Sequence, residues 1–294
     1  MKVSLLILLA ALVVPADASS GEAAAPETRI TSGPARFANT SSATFAFTSD
    51  QPSARFACAL DSGAFFSCTS PYSLTVRDGK HHFEVVAIAS GTTDPSPAAW
   101  TWEVDTVAPK AVSGRLNVGY GRVAIRWGRL GAIGADRIVV TRSTEPRKQP
   151  TRVVYRGAGS GYVDPRYKNG LYHRYRIVAS DRAGNVSPAV DAVVAASALL
   201  LAPTDGARLR APTTLRWRRI RTATFYNVQL YRGGQKVLSA WPRSPRFRLD
   251  RSWNYRGHRF RLKRGRYTWY VWPGFGLLAS GRYGQMLGQS SFTV

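Results

Sequence analysis

Few side chains in this sequence are of the types that carry out catalysis, and their spacing argues against a catalytic site. The four histidines are His81, His82, His173 and His258. The adjacent pair falls in an alternating segment, where successive side chains point to opposite faces, so the two rings are not expected to share a metal ion. Residues 181–185 (DRAGN) could supply calcium ligands, but a tight turn explains them equally well. Since no nucleophile-elbow, zinc-protease or phosphate-loop motif occurs, we predict a non-enzyme with no metal or cofactor.

Another group of residues has the chemistry of binding. In the segment RYTWYVWP, Tyr267, Trp269 and Val271 account for one face of a strand, which leaves Tyr270 and Trp272 on the other. Loop-like, arginine-rich sequence nearby contains Trp241, Trp253, Tyr255, Arg251, Arg256 and Arg259. Arginine stacks on aromatic rings and forms forked hydrogen bonds to phosphate or carboxylate, so these residues are a candidate polymer- or glycan-binding site. The alternative is that the aromatics close the ends of a β-sandwich, covered by arginine stems.

The sequence has two cysteines, Cys58 and Cys68. If the tip of a hairpin is centred on Gly63, they oppose each other directly on neighbouring strands, where a disulfide can form with little movement. A metal or redox role would need more ligands or a C-x-x-C spacing. We therefore expect a structural disulfide that stabilises the protein by about 3 kcal/mol.

The N-terminal segment has the pattern of a secretory signal peptide. Lys2 precedes a ten-residue apolar run, LLILLAALVV, and residues 16–18 (ADA) provide a small-x-small cleavage site. This run is too short to cross a bilayer, which takes roughly 20 apolar residues. We therefore expect a secreted protein with no transmembrane segment after cleavage, either free outside the cell or retained on the cell wall.

The charge is distributed unevenly along the chain. The net charge is −4 over residues 19–105, +11 over residues 106–197 and +17 over residues 198–294, with 34 Arg against 7 Lys. Such a surface attracts acidic polymers, although a GC-rich genome would also enrich arginine on solvated faces. The last segment has only two acidic residues, which gives little support to the paired carboxylates of glycoside hydrolysis. Because no nucleic-acid recognition motif is visible, we expect no sequence-specific nucleic-acid binding.

Alternating side chains recur from residue 27 to the C-terminus. Trp100, Trp102 and Val104 share one face of WTWEVD, and Val123, Ile125 and Trp127 alternate with polar or small residues. Short alternating segments, separated by Gly, Pro and Asp turns at intervals of roughly 8–12 residues, predict β-sandwiches. The predicted fold class is all-β, with three immunoglobulin-like or fibronectin type III-like β-sandwiches in series.

Particular motifs strengthen this prediction by resemblance. Residues 55–71 (RFACALDSGAFFSCTSP), the segment DGKHHF at 78–83 and the linker VDTVAP at 104–109 resemble a bacterial immunoglobulin-like repeat, common in secreted actinobacterial proteins. Residues 110–195 resemble a fibronectin type III domain, although His173 stands where these domains usually place a tyrosine. The remainder resembles the same superfold more weakly. The resemblance implies extracellular spacing, adhesion or ligand presentation, because the superfold itself hosts many functions.

These observations predict a definite organisation of the chain. The expected segments are a signal peptide (1–18), a linker (19–26), an immunoglobulin-like domain with one disulfide (27–107), a fibronectin type III-like domain (108–197) and a basic fibronectin-like domain (198–294). The expected function is that of a secreted or wall-associated structural and adhesive protein. Its partners would be an anionic wall polymer or polysaccharide, or another surface protein. The alternatives are a carbohydrate-recognition protein with an aromatic sugar site in the third domain, and an inert extracellular spacer.

Overall fold

The alternation of apolar and polar side chains has produced strands throughout the described part of the chain. The computed structural model describes residues 24–145, 151–210 and 212–294. Within these ranges the regular elements are β-strands, apart from two short 3-10 helices at Leu130–Ile133 and Leu278–Ser280. The strands form facing sheets around hydrophobic cores, and the predicted all-β fold class of immunoglobulin-like or fibronectin type III-like sandwiches is confirmed.

Part of the predicted organisation lies outside the described residues. The predicted signal peptide, residues 1–18, and the first five residues of the predicted linker lie outside the described residues. The chain divides into two compact units, one ending at Val104 and the other spanning Asp105–Val294. The predicted domain boundaries stay predictions.

The first unit is a sandwich of nine strands. They are β1 (Thr28–Ser32), β2 (Phe37–Ala38), β3 (Ser42–Ser49), β4 (Arg55–Leu60), β5 (Phe66–Cys68), β6 (Tyr72–Thr75), β7 (Gly79–Ala89), β8 (Thr92–Thr93) and β9 (Ala98–Val104). One sheet has the order β1-β3-β6, and the other has the order β2-β9-β7-β4-β5 with β8 on β7. Phe45 stacks on Phe83 at a centroid distance of 4.0 Å and meets Trp102 edge-on. These rings fill the space between the two sheets.

The predicted disulfide is present, but the predicted strand register is wrong. Cys58 and Cys68 are bonded, with their Cα atoms 5.9 Å apart. Cys58 lies opposite Phe66, so the cysteines are diagonal neighbours rather than directly opposed. The turn is the reason: its left-handed residues are Asp61 (φ 51°) and Ser62 (φ 62°) rather than Gly63. The tip therefore lies one residue earlier than we placed it.

The second core lies between sheets of three and four strands. The strands are β10 (Gly114–Gly119), β11 (Arg122–Trp127), β12 (Arg137–Glu145), β13 (Arg152–Gly157), β14 (Gly161–Asp164), β15 (Tyr172–Ser180) and β16 (Val190–Val194). The sheet orders are β10-β11-β14 and β13-β12-β15-β16. The inward positions of β11 and β15, including Ile125, Trp127, Tyr175 and Ile177, are buried as the alternation predicted.

The third core has the same two-sheet plan and one additional hairpin. The strands are β17 (Leu200–Ala202), β18 (Ala207–Arg208), β19 (Thr213–Trp217), β20 (Phe225–Arg232), β21 (Gln235–Ala240), β22 (Arg246–Leu249), β23 (Ser252–Tyr255), β24 (His258–Arg261), β25 (Arg266–Gly274) and β26 (Gly288–Thr293). The sheet orders are β17-β19-β22 and β18-β26-β25-β20-β21, and β23 pairs only with β24. Trp217 and Trp269 lie at the centre of this core.

Direct hydrogen bonds connect the second and third cores within their common unit. The Arg218 guanidinium donates to the carbonyl of Val118 at 2.6 Å. The Gln289 amide donates to the carbonyl of Ala196 at 3.3 Å. These contacts explain why the two sandwiches form one compact unit.

A ring-to-backbone hydrogen bond fixes the start of the strand that runs through the centre of each larger sheet. In the third sandwich the hydroxyl of Tyr267 donates to the carbonyl of Lys263 at 3.1 Å, which is a tyrosine corner. In the second, His173 takes that position, with Nε2 3.0 Å from the carbonyl of Lys168. Histidine therefore supplies the corner hydrogen bond in place of tyrosine.

The first sandwich uses a histidine in the same way. The Nε2 atom of His81 lies 2.8 Å from the carbonyl of Arg77, and its Nδ1 atom lies 2.8 Å from a carboxylate oxygen of Asp61. The side chain of His81 is only 11% exposed. Its neighbour His82 is much more accessible, as alternation requires.

The two histidine corners are expected to respond to pH in opposite directions. Burial lowers the pKa of His173, so its protonation favours unfolding, and the stability of the second sandwich should fall as pH drops below about 6.5. Burial also acts to lower the pKa of His81, but the hydrogen bond and charge of Asp61 outweigh it and raise that pKa. The first sandwich should therefore keep this contribution below about pH 6.5 and lose it as pH rises through the elevated pKa.

Pulse proteolysis in urea at pH 5.5 and 7.5, with fragments identified by mass spectrometry, measures how the stability of each of the two sandwiches changes with pH. Substituting His173→Tyr should remove the loss of stability of the second sandwich between pH 7.5 and pH 5.5 and leave the first sandwich unchanged, while His258→Gln, at an exposed position, serves as the control. Parallel changes in both sandwiches would contradict the prediction.

Candidate functional site

The predicted binding residues all lie in the third sandwich, but the structure distributes them over separate hollows. One cleft brings together Trp241, Tyr255, Arg256 and Trp272. Trp253 and Arg259 line a smaller hollow, and Arg251 lines another with Arg259. Tyr270 lies outside the cleft, where it stacks on Trp272 at a centroid distance of 5.9 Å.

The additional hairpin corrects one of the predictions. Trp253 and Tyr255 belong to strand β23 and are not in a loop. The indole N–H of Trp253 donates to the carbonyl of Val237 at 2.7 Å, and its ring stacks on Phe260. Trp253 thus anchors the hairpin to β21, which is the packing role that the alternative interpretation assigned to these aromatics.

The floor of the cleft is the outer face of the larger sheet. Alternation along β20 buries Val228 and Leu230 and turns Asn227 and Gln229 to the other side. A chain of hydrogen bonds fixes these amides: Gln229 donates to Asn227 at 2.6 Å, and Asn227 donates to Ser239 at 3.3 Å. Asn227 lies opposite Trp272 on β25. The floor therefore combines preorganised amides with an indole.

The walls of the cleft come from three further elements. Trp241 follows β21 and is 46% exposed, and its indole N–H donates at 2.8 Å to the hydroxyl of Tyr283, which is itself 43% exposed. The tip of the β23–β24 hairpin, with Tyr255 and Arg256, also lines the cleft. The cleft is open to solvent and has a volume of about 600 Å³.

Arg256 has an unusual backbone for its residue type. It has φ 50° and precedes Gly257 with φ 75°, so the hairpin turn has two consecutive left-handed residues. Asn or Asp is the usual first residue of such a turn, and a bulky side chain is disfavoured there. The guanidinium lies 5.5 Å from the centroid of the Tyr255 ring. The turn thereby places a cation at the rim of the cleft.

Sequence reasoning missed five cleft residues: Asn227, Gln229, Lys236, Ser239 and Tyr283. Asn227 and Gln229 had a detectable signal, since alternation places them on the polar face of β20. Tyr283 had none, because a loop residue reaches this cleft only through the tertiary fold.

A second feature of the third sandwich is strongly basic. Arg251, Arg259 and Arg261 line an open hollow of about 480 Å³, and none of the described residues that line it is acidic. Close to it in sequence, Arg248 pairs with Asp250 at 3.1 Å, but both side chains are largely exposed. Such a surface pair contributes little stability. The hollow therefore remains a concentration of positive charge.

The segment that could have held calcium is a tight turn. One oxygen of Asp181 accepts the backbone N–H groups of Gly184 and Asn185, and the other oxygen accepts the Asn185 side-chain amide. Across the described ranges, no group of three or more His, Cys, Asp or Glu side chains is placed to hold a metal ion. The same residues contain no helix of the length and hydropathy needed to span a membrane.

Comparisons with known proteins found similarity to solved structures of fibronectin type III domains. No protein-family model and no curated protein matches the sequence. The FN1–FN3 domains of chicken CNTN1 are 15% identical, with 92% of this chain and 99% of that chain covered and a TM-score of 0.26.

Two further solved structures are similar in the same limited sense. The fibronectin(III)-like modules of Clostridium thermocellum CbhA are 15% identical, with 57% of this chain and 92% of that chain covered and a TM-score of 0.38. A two-domain fibronectin type III segment of chicken tenascin is 11% identical, with 57% and 97% covered and a TM-score of 0.27. Because these values are low, the fold class rests on the sheets themselves.

Proposed function

We propose that this chain is a secreted or cell-wall-associated structural and adhesive protein whose basic third domain contacts anionic surface polymers. The observation that carries this proposal is the hollow lined by Arg251, Arg259 and Arg261. Guanidinium groups form paired hydrogen bonds to phosphate and carboxylate, so three of them in one hollow suit a polymer with repeating anionic groups.

The arrangement of charge supports the same proposal. Residues 198–294 have 19 basic and 2 acidic residues. Arg216 lies directly opposite Arg246 on neighbouring strands. Like charges in such a pair repel each other, and a bound polyanion would relieve that repulsion. A net positive surface of this kind also raises the rate of encounter with acidic polymers.

Salt-dependent binding to immobilised polyphosphate tests the proposal. Residues 19–294 should bind at about 0.1 M salt and elute before about 1 M, because screening shortens with ionic strength. The triple substitution R251Q/R259Q/R261Q should weaken binding and reduce the slope of log affinity against log salt by about 3. The control R115Q/R122Q/R126Q removes the same charge from exposed positions of β10 and β11.

Equal losses from both triple variants would mean that binding follows net charge alone, against a specific role for the hollow. An absence of binding even at low salt would favour the inert spacer.

A further inference from the structure

We propose that the cleft between the outer sheet face and the β23–β24 hairpin binds a pyranose ring that carries a carboxylate, as in the hexuronate units of an acidic polysaccharide. The proposal goes beyond adhesion by charge, because it assigns a ring-specific site on residues separate from the arginine hollow. Its principal contacts would come from Trp241, Trp272, Tyr255, Asn227, Lys236 and Arg256.

The aromatic side chains favour a ring as the ligand. Trp241 and Tyr283 are bonded edge to edge through the indole N–H and the phenol oxygen, which fixes their relative position while both stay more than 40% exposed. Trp272 provides a further indole at the floor. A pyranose has an apolar face of C–H groups, which packs against an aromatic ring and buries apolar surface on both.

The polar side chains at the floor of the cleft suit the hydroxyl groups around the edge of a sugar ring. The amide of Gln229 and the amide of Asn227 are held by each other, by Ser239 and by the hydroxyl of Tyr231, which donates to the Gln229 oxygen at 3.1 Å. Each side-chain amide has two N–H donors and two acceptor lone pairs, so both keep hydrogen-bonding capacity beyond these bonds. Because Asn227 is only 6% exposed, its orientation is set before a ligand arrives. Hydroxyl groups of a bound ring can pair with these amides without rearrangement.

The positive charge at the rim of the cleft indicates which substituent the bound ring would carry. Lys236 and Arg256 line the cleft, and none of the described lining residues is acidic. Both cations are already held near aromatic rings, Lys236 at 5.6 Å from Tyr231 and Arg256 at 5.5 Å from Tyr255. The left-handed backbone of Arg256 (φ 50°) is a strained position for arginine, and strain of this kind is concentrated at functional sites. Two positioned cations beside a ring-binding surface fit a carboxylate on the ring.

Calorimetric titration of residues 19–294 with three probes tests the proposal. A hyaluronan hexasaccharide has alternating uronate and N-acetylhexosamine rings, chitohexaose in its fully N-acetylated form has the neutral N-acetylhexosamine alone, and polyphosphate has charge without rings. We expect the hyaluronan hexasaccharide to bind at least about 10-fold more tightly than chitohexaose, because only the first presents carboxylates to the rim. Binding of the two glycans with equal affinity, or of neither, overturns the proposal.

Substitutions separate the ring contacts from the charge contacts. Trp241→Ala should weaken hyaluronan binding about 10-fold, as expected for an exposed aromatic anchor. Phe65→Ala, at a position of similar exposure (47%) in the first sandwich, is the matched control and should have no effect. Arg256→Asn keeps a residue that accepts a left-handed backbone and should reduce the preference for hyaluronan over chitohexaose. Unchanged affinity in Trp241→Ala overturns the proposal.

Substitutions in the arginine hollow distinguish failure of the glycan site from failure of the proposed adhesion. The R251Q/R259Q/R261Q variant should keep its affinity for the hyaluronan hexasaccharide while it loses affinity for polyphosphate. If that variant loses both, the glycan is held by general charge and the ring-specific site is wrong. If it loses neither, the adhesive role of the hollow fails while the cleft stands.

Discussion

Replacing Asp164 with alanine is expected to destabilise the second sandwich by about 3–5 kcal/mol, since it leaves a poorly exposed arginine without its partner. The carboxylate of Asp164 is 1% exposed and accepts Arg142 at 2.6 Å and the hydroxyl of Tyr175 at 2.7 Å. The backbone N–H of Arg166 donates to its other oxygen at 2.9 Å. These bonds join β14 to β12 and β15, across the two facing sheets. A loss of this size is a large fraction of the stability of an ordinary domain.

The pKa of Asp164 also indicates that its ionised carboxylate stabilises the second sandwich. Burial alone would raise it, but the hydrogen bonds from Tyr175 and Arg142 outweigh burial, and the pKa lies below its ordinary value. A lowered pKa means that the ionised carboxylate stabilises the fold above about pH 4, and that this contribution is lost as pH falls through the lowered value. Acid unfolding of the second sandwich should therefore be less steep in Asp164→Ala than in the natural sequence.

Pulse proteolysis in urea, with second-sandwich fragments identified by mass spectrometry, measures the loss. Asp191→Asn is the matched control, because that carboxylate is exposed and lies 3.8 Å and 4.0 Å from Arg174 and Arg176. An exposed pair of this kind should contribute less than about 1 kcal/mol. Similar losses in the two variants would show that the buried network has no special importance.

Removing the disulfide is expected to destabilise the first sandwich by about 3 kcal/mol, through the added chain entropy of the unfolded state. The double substitution Cys58→Ala/Cys68→Ala removes a bond between residues ten positions apart on β4 and β5. Alanine avoids placing a hydroxyl at Cys58, which is completely buried. The same loss should follow when the natural protein is unfolded in the presence of a reductant.

Urea unfolding resolved by fragment tests this prediction on the full chain. The first sandwich should unfold at lower urea in the double variant, whereas the second and third should keep their midpoints. A first sandwich with an unchanged midpoint would mean that the core around Phe45 and Phe83 suffices without the bond.

Alternation predicted the buried face of β25 correctly, but in β7 it failed, because Val85, Val86 and Ala87 are buried in succession. Tyr267, Trp269 and Val271 are fully buried as expected, and Tyr270 and Trp272 lie on the other face. The period of two is a property of the extended backbone itself, so it can be read without knowing what covers the strand. The register of β4 and β5 could not be read in this way, because two left-handed non-glycine residues formed the turn.

The candidate site was predictable only in part. The aromatic and arginine residues were identified by type, but type alone could not assign Trp253 to packing and Trp241 to an exposed wall. That difference depends on where the β23–β24 hairpin lies against β21. Tyr283 joined the cleft from a loop, 42 positions from Trp241 in sequence.

Local order along the chain was enough to predict the all-β class, the faces of most strands and the uneven distribution of charge. The grouping of aromatics in one cleft and the histidines that replace a corner tyrosine became visible only in the folded protein. These contacts join residues brought together by hairpin registers and facing sheets, which depend on packing across the whole sandwich rather than on neighbouring residues.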